Sequence, residues 1–310
     1  MIRAIIERAN SILKASIFNF YSAICELLSY KKMICFPNAK INLGLHVINK
    51  RADGFHTIET VFYPIMFCDM LEIVVSNQLS VDSDKVESFS DGIKIDGSIE
   101  DNLVYKAYQL LDKDFDLSPI KCFLYKKIPM GAGLGGGSSD AAFAIKLLND
   151  VFDLNLSIEQ MKNYASQLGS DCAFFIENKS AYVLGRGNEL ENFEIDLSKY
   201  YLVLLYPNIH SSTSVAYKNV LKRGEFDEKN SLKNLLSQPI NEWKNSVEND
   251  FERSVFETIP SLPNIKQQLY DCGAFYASMS GSGSAMFGIF ETKPQLTDEL
   301  KKLLVFEGEM

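Results

Sequence analysis

The chain has 310 residues, 46% of them hydrophobic, and 31 basic against 40 acidic side chains give a formal net charge of −9. That length buries a sizeable core and makes two domains the natural expectation. The acidic excess speaks against a general nucleic-acid binder, whose work is done by clustered Lys and Arg, and leaves any anionic ligand dependent on local donors.

Residues 1–32 differ in character from the rest of the chain. They carry five positive and two negative charges, and apolar residues from Ile5 to Leu28 recur at roughly helical spacing. A signal peptide would need an unbroken apolar core and a small-residue cleavage site, and neither is clear. The segment reads as an amphipathic helix lying on the body, a membrane-surface helix, or upstream sequence translated from a misassigned start. The last is favoured because the patterned body opens at Met33, and the segment is expected to be loosely packed and catalytically idle.

From Pro37 to Val47 the polar residues Lys40, Asn42 and Gly44 alternate with apolar ones, as in a strand with a polar face. A lysine there is most often solvated; opposite a phosphate site it becomes a candidate charge stabiliser. A turn at Asp53-Gly54 leads through Phe55 and His56 into a strand over 57–62. His56 alone reads as an ordinary polar residue. Beside Phe55 on a glycine turn, an aromatic plane and a hydrogen-bonding ring suit a nucleobase. Residues 77–101 read as loops around short strands, and Asp101 or Asn102 caps the next helix.

Lys121–Lys127 reads as a strand and Ala141–Leu148 as an amphipathic helix, capped by Ser138, Ser139 or Asp140. Between them run Pro129, Met130, Gly131, Ala132, Gly133, Leu134, Gly135, Gly136, Gly137, Ser138 and Ser139. Glycine lets the backbone take positive φ and close on a ligand, and the free N–H groups of a first helical turn favour an anion. The stretch therefore reads as a phosphate cradle rather than a plain turn.

Ser157 and Gln160 fit a capping box, and that helix ends at Leu168-Gly169. On the residues alone Asp171 reads as one more helix cap. Strands are expected over 181–187, with a tight turn, and over 200–207, with a domain boundary just before the second. Residues 223–250 are charged and helical in pattern. Met279–Ala285 is a second glycine-serine loop before the strand Met286–Phe290: a plain turn, or a support for the first loop. The six cysteines are scattered without a C-x-x-C pair and the three histidines lie far apart. Zinc is therefore not expected, and the thiols read as reduced and mostly buried, as in a cytoplasm. No apolar run reaches the length of a membrane span.

Three phosphate-binding signatures compare with the first loop. A Walker loop needs Gly-Lys-Ser/Thr at the helix entry, where this chain has Gly137-Ser138-Ser139 and lacks the lysine. Gly131, Gly133 and Gly136 match the dinucleotide pattern formally, but Asp150 and Asp153 end a helical pattern rather than the second strand that pattern requires. The third, P-x-x-x-G-L-G-S-S-A-A, fits best. With 37–43, 51–56, 101–104, 168–171, 249–252 and 279–283 in the same order, the chain from Met33 onward resembles the GHMP kinases.

That resemblance implies a two-domain α+β fold. Residues 33–197 would form a ribosomal S5 domain 2-like domain holding ATP, and residues 198–310 a ferredoxin-like domain, with 1–32 an extension that has no counterpart. It implies ATP as co-substrate, Mg²⁺, and transfer of the γ-phosphoryl group to a hydroxyl of a small molecule bearing a cytidine diphosphate moiety. It assigns Lys40 and Asp171 as the catalytic pair, 129–139 as the ATP loop, Ser139 as a metal ligand, and Asn42, Phe55, His56 and Thr213 as substrate contacts. The family often has Tyr at the place of Phe55; stacking survives that change and a hydroxyl contact does not. Asp140 stands where small or amide residues are common. A cytoplasmic monomer or weak homodimer is expected, with no nucleic-acid or membrane partner. The other readings are a GHMP kinase of homoserine or mevalonate, a nicotinamide-dependent oxidoreductase and a non-catalytic nucleotide binder.

Overall fold

The computed structural model describes residues 31–76, 85–218, 220, 223–224 and 228–310. The reading of 1–32 falls outside them except for its last two residues, of which Lys32 opens the first strand. Three four-stranded sheets make up the framework.

The first sheet orders β1 (Lys32–Cys35), β4 (Met70–Val75), β6 (Ile120–Lys126) and β5 (Val86–Gly92), with only β5 and β6 parallel. One face packs on α1 (Leu103–Phe115), α2 (Gly136–Val151) and α3 (Ile158–Leu168). Local signals set these helices: the Asn102 side chain accepts from the Val104 N–H, and Ser157 with Gln160 closes the expected capping box. Gly169 ends α3, and the single turn α4 (Phe174–Glu177) comes next.

The second sheet orders β2 (Asn38–Lys50), β3 (His56–Cys68), β7 (Ala181–Leu184) and β8 (Glu189–Asn192), all antiparallel. β3 runs well beyond the expected 57–62 because β2 pairs with it along nearly its whole length. The register of β2 shifts between Leu43 and Leu45, where Gly44 takes φ 72°. A residue in that left-handed conformation is how a strand inserts a bulge. The expected polar face of β2 is present, but Lys40 and Asn42 are buried.

The third sheet orders β10 (Tyr276–Met279), β11 (Met286–Phe290), β9 (Tyr201–Leu205) and β12 (Leu304–Glu309). Its side chains alternate between two cores. Leu202, Leu204, Phe287 and Ile289 meet Ile41, Leu43 and Val61 of the second sheet around Trp243. Val203, Leu205, Met286 and Phe290 pack beneath α7 (Phe251–Thr258) and α8 (Leu262–Asp271), as the two-residue period of a strand dictates. Among the described residues, 223–250 give less helix than their pattern suggested: a short α6 (Leu232–Leu236) and two 3₁₀ segments, Glu228–Asn230 and Ile240–Asn245. Among the described residues no helix is long and apolar enough to cross a membrane.

Ser157 caps α3 from an exposed position, so Ser157→Ala removes one N-terminal acceptor and disturbs no core. The expected loss is about 1 kcal/mol of stability in urea unfolding.

Candidate active site

β6 delivers the chain to buried Ile128 and Pro129, and the turn at Met130 and Gly131 is exposed. Gly131, Gly133 and Gly135 then take φ of 64°, 78° and 71°, a region costly for residues with a Cβ. Gly135 is itself the N-cap of α2. The expectation that Ser138, Ser139 or Asp140 caps this helix is therefore corrected. The glycines carry the chain directly into helical geometry, and those three residues lie inside the helix. Ser139 N–H donates to the Gly135 carbonyl at 2.9 Å. The N–H groups of Gly136, Gly137 and Ser138 precede that first helical bond and form the helix's anion-attracting end.

The loop is held on both sides by backbone. Lys40 N–H donates to the Leu134 carbonyl at 3.0 Å, and Ala285 N–H to the Ala132 carbonyl at 3.1 Å. The Gly133 carbonyl between them accepts from Lys40 Nζ at 3.1 Å and from Ser280 Oγ at 2.8 Å. A Cβ on Gly133 would lie 1.9 Å from the Ser280 carbonyl oxygen. The second glycine-serine loop thus supports the first. It is steadied in turn by Asn249, whose Nδ2 donates to the carbonyls of Met279 and Gly281 at 2.8 Å each. Glu252 accepts from Met279 N–H at 2.8 Å and Ser278 Oγ at 3.0 Å.

Lys40 Nζ also donates to Asn42 Oδ1 at 2.6 Å and lies over the Phe62 ring, 4.6 Å from its centroid. Asn42 Nδ2 donates to Thr60 Oγ1 at 2.9 Å, which fixes the amide's direction. Asp171 stands in the turn between α3 and α4, does not cap α4, and brings Oδ2 to 3.7 Å from Lys40 Nζ. Burial pushes the Lys40 ammonium below the usual lysine range, and the charge of Asp171 opposes that shift. The carboxylate is 31% exposed beside a lysine that is only 4% exposed. One partner can meet a ligand while the other stays dry.

Phe55 ends the turn before β3 and His56 opens the strand. Phe55 is exposed, with the Arg186 guanidinium 5.0 Å from its ring centroid. His56 stacks on Tyr217, centroids 4.6 Å apart and planes 17° from parallel. Tyr217 lies on α5 (Thr213–Lys218). Burial raises its phenol to about 12, and the negative charge of Asp171 adds to the shift. Thr213, at the head of α5, shares a 3.0 Å hydrogen bond with Ser282 Oγ of the second loop. The predicted Lys40, Asn42, Asp171 and 129–139 thus meet directly around Gly133, while His56 and Thr213 border the same region through α5 and the second loop, and Phe55, next to His56 in the chain, meets Arg186.

Reading the sequence missed Tyr217, Ser280 and Asn249. The first sits in an unremarkable Ala-Tyr-Lys run. The other two lay within segments already noted, 249–252 and 279–283, whose structural task shows only when the chain is folded. Two cavities of about 600 Å³ near β8, bordered by Lys179 and Asn192, include none of these residues. Among the described residues no cluster of three or more His, Cys, Asp or Glu side chains could hold a metal ion.

Family models agree with this architecture. "GHMP kinases N terminal domain" matches residues 102–179 and "GHMP kinases C terminal" matches residues 231–304. The chain belongs to the GHMP kinase family, and is a phosphotransferase with that family's two-domain α+β fold. Within the family it is 51% identical over 259 residues to the 4-diphosphocytidyl-2-C-methyl-D-erythritol kinase of Azobacteroides pseudotrichonymphae, covering 84% of this chain and 94% of that one. It is 48% identical over 279 residues to the enzyme of the same name from Bacteroides fragilis, covering 90% of this chain and 100% of that one. A solved structure of 4-(cytidine 5'-diphospho)-2C-methyl-D-erythritol kinase superposes with a TM-score of 0.68 at 27% identity, over 83% of this chain and 90% of that one.

Gly133→Ala forces a Cβ against the Ser280 carbonyl at a positive φ. It is expected to cost roughly 1–3 kcal/mol of stability and to weaken Mg-ATP binding, read by thermal melting and by calorimetric titration.

Proposed function

We propose that the protein transfers the γ-phosphoryl group of ATP to the 2-hydroxyl of 4-diphosphocytidyl-2-C-methyl-D-erythritol, a step of the non-mevalonate isoprenoid route. One juxtaposition carries the reading. Lys40, tied to the Gly133 carbonyl of a glycine loop at a helix N-terminus, lies 3.7 Å from the partly exposed carboxylate of Asp171. The names of relatives that are about half identical supply the acceptor.

Phosphoryl transfer asks for positioning and charge stabilisation more than for covalent work by the protein. The loop 129–139 and the first turn of α2 hold the nucleotide phosphates through backbone N–H groups. Asp171 accepts the proton of the attacking hydroxyl as it closes on the γ-phosphorus. Lys40 orients that carboxylate and offsets the negative charge that grows on the transferring group. Its burial serves this role, because a charge removed from water acts more strongly on a nearby anion. Asn42, fixed by Thr60, aligns the acceptor hydroxyl beside Lys40.

Phe55 offers an exposed aromatic face to the cytosine, His56 and Tyr217 form the stacked wall beside it, and Thr213 contacts the diphosphate end. Mg²⁺ fits the loop through Ser139, whose Oγ is buried and has no hydrogen-bond partner. When bound with the nucleotide it would neutralise phosphate charge. With so few carboxylates converging, the phosphates themselves would supply most of its ligands.

Two measurements test this reading. Acceptor-dependent ADP release from Mg-ATP should fall on the order of a hundredfold or more in Asp171→Asn, the usual scale for loss of a general base, with ATP affinity nearly intact. Unchanged turnover would remove Asp171 from the mechanism. Tyr217→Ala should raise KM for the cytidine acceptor about tenfold, the scale of one lost base-stacking wall, and leave KM for ATP in place.

A further inference from the structure

Beneath the glycine loop lies an ionic cluster that the mechanism does not use. Lys126, Asp69 and Asp140 are each at most 4% exposed. Lys126, the last residue of β6, bonds through Nζ to Asp69 Oδ2, and to Asp140 Oδ2 at 2.7 Å. Asp69 lies between β3 and β4. Its other carboxylate oxygen accepts the backbone N–H of Lys127 at 2.5 Å and of Ile128 at 2.8 Å. Those are the two residues that lead into Pro129. Asp69 N–H also donates to the Pro37 carbonyl at 2.8 Å, at the entry to the strand that carries Lys40.

Asp140 sits at the opposite shoulder of the loop, in the helix that begins at Gly136 and next to Ser139. The lysine head runs close under that helix: a Cβ on Gly136 would lie 3.4 Å from Lys126 Nζ. One cation therefore joins the segment that enters the loop to the helix that leaves it. Such a cluster is an expensive way to fill space. Buried ion pairs seldom stabilise a fold more than apolar groups of the same size, and this one keeps an uncompensated atom, Asp140 Oδ1, which has no hydrogen-bond partner. Burial raises the Asp140 carboxyl to about 7, against the opposing charge of Lys126. Holding the two shoulders at a fixed spacing gives that cost a use.

We propose that Lys126, Asp69 and Asp140 form a strut that fixes the spacing between the two shoulders of the phosphate loop, and thereby sets the affinity for the nucleotide. The three are positioning residues that touch neither reactant. The inference rests on the reading of 129–139 as the ATP loop.

Asp140→Asn keeps the shape and removes the charged tie to Lys126. KM for Mg-ATP should rise about tenfold, the loss of one charge-assisted hydrogen bond. KM for the acceptor and kcat at saturating nucleotide should hold within about twofold. A second variant, Lys126→Met combined with Asp140→Leu and Asp69→Asn, removes all three charges, replaces the tie by apolar volume and keeps a neutral acceptor for the Lys127 and Ile128 N–H groups. It should melt no lower than wild type, yet bind Mg-ADP about tenfold more weakly by calorimetry. Nucleotide affinities equal to wild type in both variants would overturn the strut. So would equal rises in both KM values that track a fall in melting temperature, because those describe a structural filler. Wild type that binds no nucleotide would instead overturn the reading of the loop, and the strut with it.

Discussion

The carbonyl oxygen of Gly133 is the point on which this site hangs. It accepts from the ammonium of Lys40 and from the hydroxyl of Ser280, groups separated by 240 positions in the chain. A strand of the second sheet, the loop before α2 and the loop before β11 meet at one atom. The meeting needs a glycine there, because the Ser280 backbone leaves no room for a Cβ. Loop, lysine and second loop therefore cannot shift separately: moving one strips a buried donor of its acceptor, and the lost partner costs more than the bond is worth when made.

The same atom explains how a buried lysine is tolerated. Lys40 exchanges water for the Gly133 carbonyl, the Asn42 amide oxygen, the face of Phe62 and the charge of Asp171. These are four partners of different kinds from four segments. Desolvation favours the neutral amine and the carboxylate favours the ammonium. An Asn on the same strand face shares the load, because its amide oxygen takes one ammonium proton while its NH₂ group is committed to Thr60.

Much of the framework was legible from local chemistry. Ser157 and Gln160 announce the start of a helix, Gly169 its end, and the apolar segments 200–207 and 286–290 two strands of the third sheet. The glycine loop's shape was legible because positive φ and a succeeding helix are properties of a dozen consecutive residues. Its cap was misread for the same reason: Ser138, Ser139 and Asp140 are good capping residues in isolation, and only the left-handed turn at Gly135 moves the helix start ahead of them. Local reading fails where a residue's partner is distant. Asp140 looks like an ordinary polar residue until Lys126 and Asp69 fold against it. Asn249 looks like a turn residue until Met279 and Gly281 present their carbonyls, and Tyr217 has no signal at all until His56 stacks on it.

The support given by Met279–Ala285 bears on how the protein is made. Ribosomes release the chain from its N-terminus, so 129–139 and Lys40 emerge long before Ser280 and Ala285 do. The first two sheets can pair and the first core can close around α1, α2 and α3 without them. During that interval the Ala132 and Gly133 carbonyls lack the donors that Ala285 and Ser280 will bring. A chain that has emerged only through β8 thus holds the first core but not the finished cradle. The loop 129–139 gains these two ties to its backbone only with the last thirty or so residues.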